Sequence, residues 1–294
     1  MDALLPPLLN GTAHGALLLL AALGLALTFG QMGVINMAHG EFLMAGAFVA
    51  YLTQQVISSS DISIPVALPI AFLVAGLLGL LLEVGIIQWM YRRPLDTLLV
   101  TVGVGLILRQ LALEIFPAQG VPVEKPGWLD GQLDVFGYQW PVRQVFTIVL
   151  AVICVAALAA WLKHTSFGRR IRATVQNRDL AETSGVPTRS VDRITFFVGS
   201  GLAGIAGVAA SLIGGTNSQM GVQYIIPAFL VVVAGGIGQL KGTVIAAWAV
   251  GVAMAFFATW TTGSLAQVVA FVLVVVFLQV RPQGMFTVRT RGLT

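Results

Sequence analysis

Residues 148–162 read IVLAVICVAALAAWL, a stretch with no charged side chain and no polar face at either the helical or the strand period. VVAFVLVVVF, residues 268–277, has the same character. A strand of a transmembrane barrel would alternate apolar and polar residues over about ten positions. Both runs are therefore read as helices that are apolar all round. Similar runs recur along nearly the whole chain, each near the roughly 20 residues that a helix needs to cross a bilayer core. The composition agrees: of 294 residues 57% are hydrophobic and 10% charged, with a mean hydropathy of +0.91. A soluble domain carries about 25% charged residues, so a soluble globule is excluded. Residues 1–294 are expected to form one all-α, polytopic membrane domain.

Spans are expected near 12–30, 34–57, 64–91, 95–116, 144–162, 193–213, 224–238, 243–260 and 265–280. That gives nine crossings, or eight if one segment is re-entrant. Two segments are candidates for a broken or re-entrant helix. Residues 31–41 contain Gly33, Asn36, His39, Gly40 and Glu41, and 224–238 is short and ends in Gly235-Gly236-Ile237-Gly238. Lys and Arg gather in cytoplasmic loops. The segment 163–193 holds Lys163, Arg169, Arg170, Arg172, Arg178, Arg189 and Arg193, and Arg92-Arg93 and Arg281, Arg289 and Arg291 fall on the same side. Loops 58–63 and 117–142 contain only Lys125 between them and are placed outside. This orientation puts the N-terminus outside and the C-terminus in the cytoplasm. Asp2 and the absence of Lys or Arg before the first apolar run argue against a secretory signal peptide, so the first helix is expected to stay.

Cys154 is the only cysteine, which excludes an intramolecular disulfide and a CxxC site. The net charge of +4 comes from residues flanking apolar spans, not from a basic face with interleaved aromatics, so no nucleic-acid partner is expected. The densest polar cluster within a span is Asn36, His39 and Glu41, and polar groups in hydrocarbon are costly enough to mark functional sites. His39 and Glu41 lie two residues apart, about 200° around a helix, so they cannot share a metal unless the helix breaks. No metal or cofactor is expected. Gly199, Ala203, Gly207 and Ser211 recur every fourth residue and leave one helix face almost without bulk, suited to close helix packing. Glu83 and Arg109 are charges inside expected spans and are read as a neutralising pair. Shifting the chain by 202 residues lays Gly33 over Gly235 and Gly40 over Gly242, a weak internal repeat of helix, glycine break and small-residue helix.

Five stretches together resemble the permeases of branched-chain amino-acid-type ABC importers. They are MGVINMAHGEFLMAGAFVAY (32–51), RPLDTLLVTVGVGLILRQ (93–110), ATVQNRDLAETSGVPT (173–188), FFVGSGLAGIAGVA (196–209) and FLVVVAGGIGQLKGTVIAA (229–247). The forms INMAHGE, RPLDTLL and QNRDLA look most like the urea-transporting branch. The resemblance implies a urea importer subunit in the bacterial inner membrane, with branched-chain amino acids or short amides as the alternative. It implies a second homologous permease, two cytoplasmic ATPase subunits and a periplasmic binding protein as partners, besides membrane lipid. It also implies a coupling segment at 168–188 that meets an ATPase, with Arg172, Gln176, Asn177, Ala181 and Gly185 as contacts. The sequence has no GxxxxGK[ST] phosphate loop, so ATP hydrolysis belongs to another chain.

A path for a small neutral solute needs amide, hydroxyl or carbonyl groups. Thr28, Asn36, His39 and Glu41, with the carbonyls at the glycine breaks, are the candidates. A passive channel and an intramembrane enzyme are the competing classes, and the second lacks a nucleophile or metal constellation of usable spacing. Trp128, Tyr138 and Trp140 in the outer loop read as an interfacial belt or as a landing surface for the binding protein.

Overall fold

The computed structural model describes residues 4–91 and 93–286 and is built almost entirely of helices. Among the described residues nine helices fall on the expected spans: α1 (Leu5–Met32), α2 (His39–Val56), α3 (Ser60–Gly85), α4 (Pro94–Ile115), α5 (Val142–His164), α8 (Thr188–Gly214), α9 (Met220–Gly235), α10 (Leu240–Ala258) and α11 (Gly263–Val280). Two short helices, α6 (Ser166–Gln176) and α7 (Arg178–Thr183), form the basic segment before α8. Among the described residues seven helices are long and apolar enough to cross a membrane, so the chain is a polytopic helical membrane protein. The other two of the nine are α2, with polar residues near both ends, and α9, with only 16 residues. These are the two segments whose glycines and polar residues set them apart in the sequence. Asp2, Arg92, Arg289 and Arg291 lie outside the described residues.

Helix ends follow local chemistry. Gly33 closes α1 at φ +64 and donates its N–H to the Phe29 carbonyl, a left-handed cap that favours glycine. Thr165 caps α6 and Asn177 caps α7, each side-chain oxygen accepting a backbone N–H of the first turn. The segment 117–142 is more ordered than a plain loop. A 3-10 turn at Gly127–Leu129 is followed by an antiparallel hairpin of β1 (Gln132–Val135) and β2 (Tyr138–Pro141), turned at Phe136 and Gly137 with φ of 53° and 85°.

The core is organised around α1 and α8. Helix α1 is buried along most of its length, from Gly15 to Thr28, and packs on α5, α8, α9 and α10. Helix α8 packs on α1, α2 and α3 through its small residues. A Cβ on Gly199 would sit 2.8 Å from the Thr28 methyl, and one on Gly207 would sit 1.9 Å from the Leu43 carbonyl oxygen. Ala203 is fully buried, and the Ser211 hydroxyl donates to the Val208 carbonyl. The stripe Gly199, Ala203, Gly207, Ser211 is thus covered by helices of this chain. By contrast α4 packs mainly along α2 and leaves Leu95, Leu99, Leu106, Ile107 and Leu111 exposed.

Candidate functional site: a broken helix at membrane depth

Helix α2 does not begin beside the end of α1. The His39 Nε2 atom lies 3.0 Å from the Ala21 carbonyl oxygen, and the ring edge sits against Gly24. At 1.5 Å per residue the start of α2 is therefore about 12–16 Å back along α1 from Met32. Residues 33–38 cover that distance as largely non-helical chain inside the bundle. Such backbone is tolerated at membrane depth only where protein or a cavity surrounds it. Here α4 supplies the partner: Thr101 Oγ1 accepts the Met37 N–H at 3.1 Å, and its one hydroxyl proton is shared between the Leu98 carbonyl of its own helix at 3.0 Å and the Ile35 carbonyl at 3.3 Å.

The side chains along this break are unusually poor in partners. Asn36 is fully buried, and neither atom of its amide is hydrogen-bonded. Gln31 Nε2, His39 Nδ1 and Glu41 Oε2 are also buried and unpaired. Each such atom costs about 1–3 kcal/mol, so four affected side chains within one short stretch mark a site kept for something other than stability. The Glu41 carboxyl rests against Gly221 in the first turn of α9, the end of a helix whose dipole favours negative charge. On its other side α4 crosses at Gly105, where a Cβ would come within 3.5 Å of Glu41 Cγ. His39 faces α1 and Glu41 faces α4 and α9, so the two do not converge, as their spacing requires. Thr28 stands one layer away, its hydroxyl 3.1 Å from the Gly24 carbonyl oxygen of its own helix and its methyl against Gly199. Among the described residues no group of three or more His, Cys, Asp or Glu gathers in metal-binding geometry.

Two clefts open at the end of the bundle that carries α6 and α7. One, of about 340 Å³, lies between α1, α6 and the α9–α10 link and is bordered by Gln31, Arg172, Gln176 and Gln239. The other, of about 690 Å³, lies between α1, α6–α7 and the α3–α4 link and is bordered by Gln31, Gly33, Tyr91, Arg178 and Arg189. The second reaches the first residue of the break. Of the expected coupling residues, Arg172 and Gln176 line a cleft, Asn177 is an exposed helix cap, and Gly185 forms an exposed turn at φ +82. Ala181 is 5% exposed, and its carbonyl accepts the Val186 N–H in the turn after α7.

The expected Glu83–Arg109 pair is corrected. Glu83 accepts the Tyr91 hydroxyl and has Arg193 Nε at 3.5 Å. Glu83 lies in the last turn of α3, whereas Arg109 lies fifteen residues into α4, about 22 Å along that helix from the shared link. Arg109 instead borders a shallow cleft of about 410 Å³ with Leu106, Gln110 and Leu113. Gln31, Thr101, Gly221 and Tyr91 were missed in the sequence. Only Thr101 left a local signal, since Thr97 and Thr101 fall on one helix face of an apolar span.

The profile of the family described as branched-chain amino acid transport system, permease component, matches residues 8–278. The high-affinity branched-chain amino acid transport system permease protein BraD of Pseudomonas aeruginosa is 27% identical over 290 residues, covering 95% of this chain and 94% of the relative. The high-affinity branched-chain amino acid transport system permease protein LivH of Escherichia coli K12 is 25% identical over 95% of this chain and 94% of its own length. The probable branched-chain amino acid transport permease protein LivH of Methanocaldococcus jannaschii is 26% identical over 92% and 89%. No solved structure matches the chain. With a profile match across almost its whole length, this chain belongs to the family of permease components of branched-chain amino acid transport systems.

Proposed function

We propose that this chain is the membrane-spanning permease subunit of an ATP-driven importer for branched-chain amino acids. The observation that carries the reading is the broken helix between α1 and α2, where Gln31, Asn36, His39 and Glu41 hold unpaired polar atoms and Gln31 borders both clefts that open at the basic end. Interrupted helices at membrane depth are where transporters place solute sites. Relatives named for branched-chain amino acid transport that align over nearly the full chain supply the solute class. The arginine-rich end is cytoplasmic by the positive-inside rule, which sets α6–α7 toward ATPase subunits and the hairpin of β1 and β2 toward a periplasmic binding protein. A second permease of the same family completes the path along the exposed face of α4, in the bacterial inner membrane. Movement driven by ATP on the partner subunits would open the break alternately to either side.

Urea is the second reading. It is favoured by INMAHGE, RPLDTLL and QNRDLA, and by the free Asn36 amide, a donor and an acceptor suited to a neutral diamide. Uptake of labelled leucine and labelled urea, in cells with and without the gene and lacking other routes for both, separates them. Gene-dependent leucine uptake that excess isoleucine suppresses and urea leaves intact supports the amino-acid reading. Gene-dependent urea uptake untouched by leucine overturns it in favour of urea.

A further inference from the structure

We infer that the cluster of charged side chains around Tyr91 is the linkage that carries movement of α6–α7 to the broken helix. The inference rests on α6–α7 meeting an ATPase and adds a second moving element, the link between α3 and α4. Arg178, the first residue of α7, bonds Asp192 at the root of α8 at 2.5 Å and lies over the Tyr91 ring at 4.9 Å from its centroid. Tyr91 donates its hydroxyl to Glu83 in the last turn of α3. Arg193, next to Asp192, lies 3.5 Å from Glu83 and donates to the Gln88 side chain at 3.2 Å. Six side chains thus tie α7 and α8 to α3 and the α3–α4 link.

The cluster is stiff for physical reasons. The Asp192 and Glu83 side chains are almost fully buried, and removing one partner of a buried ion pair strands the other charge. Burial, with Asp192 and Glu83 beside it, pushes the Tyr91 phenol well above its usual range, so its hydroxyl stays a donor. Tyr91 stands three residues before α4, and α4 packs mainly along α2. Two turns into α4, Thr101 holds both Ile35 and Met37 of the break. A tilt imposed at the root of α4 therefore reaches the unpaired polar groups through one rigid helix.

The test uses the complete transporter purified with its partner chains in proteoliposomes. Spin labels are placed at Leu99→Cys on α4 and Val280→Cys on α11, in a Cys154→Ser background with partner cysteines replaced. With the linkage intact, trapping the ATPase with ATP and vanadate should shift the label separation by about 3 Å or more. In Arg178→Gln and Tyr91→Phe complexes the shift should vanish while ATP hydrolysis stays within about twofold of the parent. Tyr91→Phe removes one hydroxyl and keeps the ring, so it guards against a folding defect in the other variant. A shift that survives in both variants, or no shift in the parent, overturns the inference. A purified complex without any ATPase subunit sinks the importer reading as well.

Discussion

Asn36 is the residue on which the site turns, because both atoms of its amide are buried without a partner. Replacing it by Leu keeps the volume and removes the stranded groups. The purified protein should then be as stable or more stable, by about 1 kcal/mol, while solute uptake falls at least about tenfold. Thermal unfolding in detergent and uptake in cells check the two halves; uptake that survives would remove Asn36 from the path. Glu83 makes a different kind of prediction, since its partner is Arg193 and not Arg109. Glu83→Gln and Arg193→Gln should be non-additive by about 1 kcal/mol in unfolding midpoints, and Glu83→Gln with Arg109→Gln should simply add. Local chemistry marked Glu83 as a charge needing a partner. It could not say which one, because that depends on how far each charge lies from the membrane surface in the folded bundle.

Among the elements, the helices were legible because apolarity is a property of each segment alone. The two weak spans could be singled out by Gly33 to Glu41 and by Gly235 to Gly238, and these are the places where α1 gives way to α2 and α9 to α10. That residues 33–38 fold back along α1 could not be read, since only the contacts of His39 with Ala21 and of Thr101 with Ile35 fix it. The hairpin of β1 and β2 was missed because four-residue strands are too short to show a period. Two predictions belong here. Gly207→Leu drives a side chain into the Leu43 carbonyl and should cost about 1–3 kcal/mol, seen as a lower unfolding midpoint and less protein in the membrane. Gly185→Val places a branched residue at φ +82 in the exposed turn after α7, a strain of about 1–2 kcal/mol confined to that turn. Uptake should be lost in this variant while the protein still reaches the membrane, whereas a passive channel would be unaffected.

At the scale of the whole molecule a core of α1 and α8 lies beside a broken helix, and α4 is left with an exposed apolar face, which on the proposed reading a second permease covers. On the same reading transport depends on ATP hydrolysed by another chain. The most direct measurement is gene-dependent accumulation of labelled leucine and urea in energised cells and in the same cells depleted of ATP. Accumulation above the external concentration is expected for one of the two solutes, abolished by depletion. Gene-dependent flux that only equilibrates the solute and continues without ATP would contradict it.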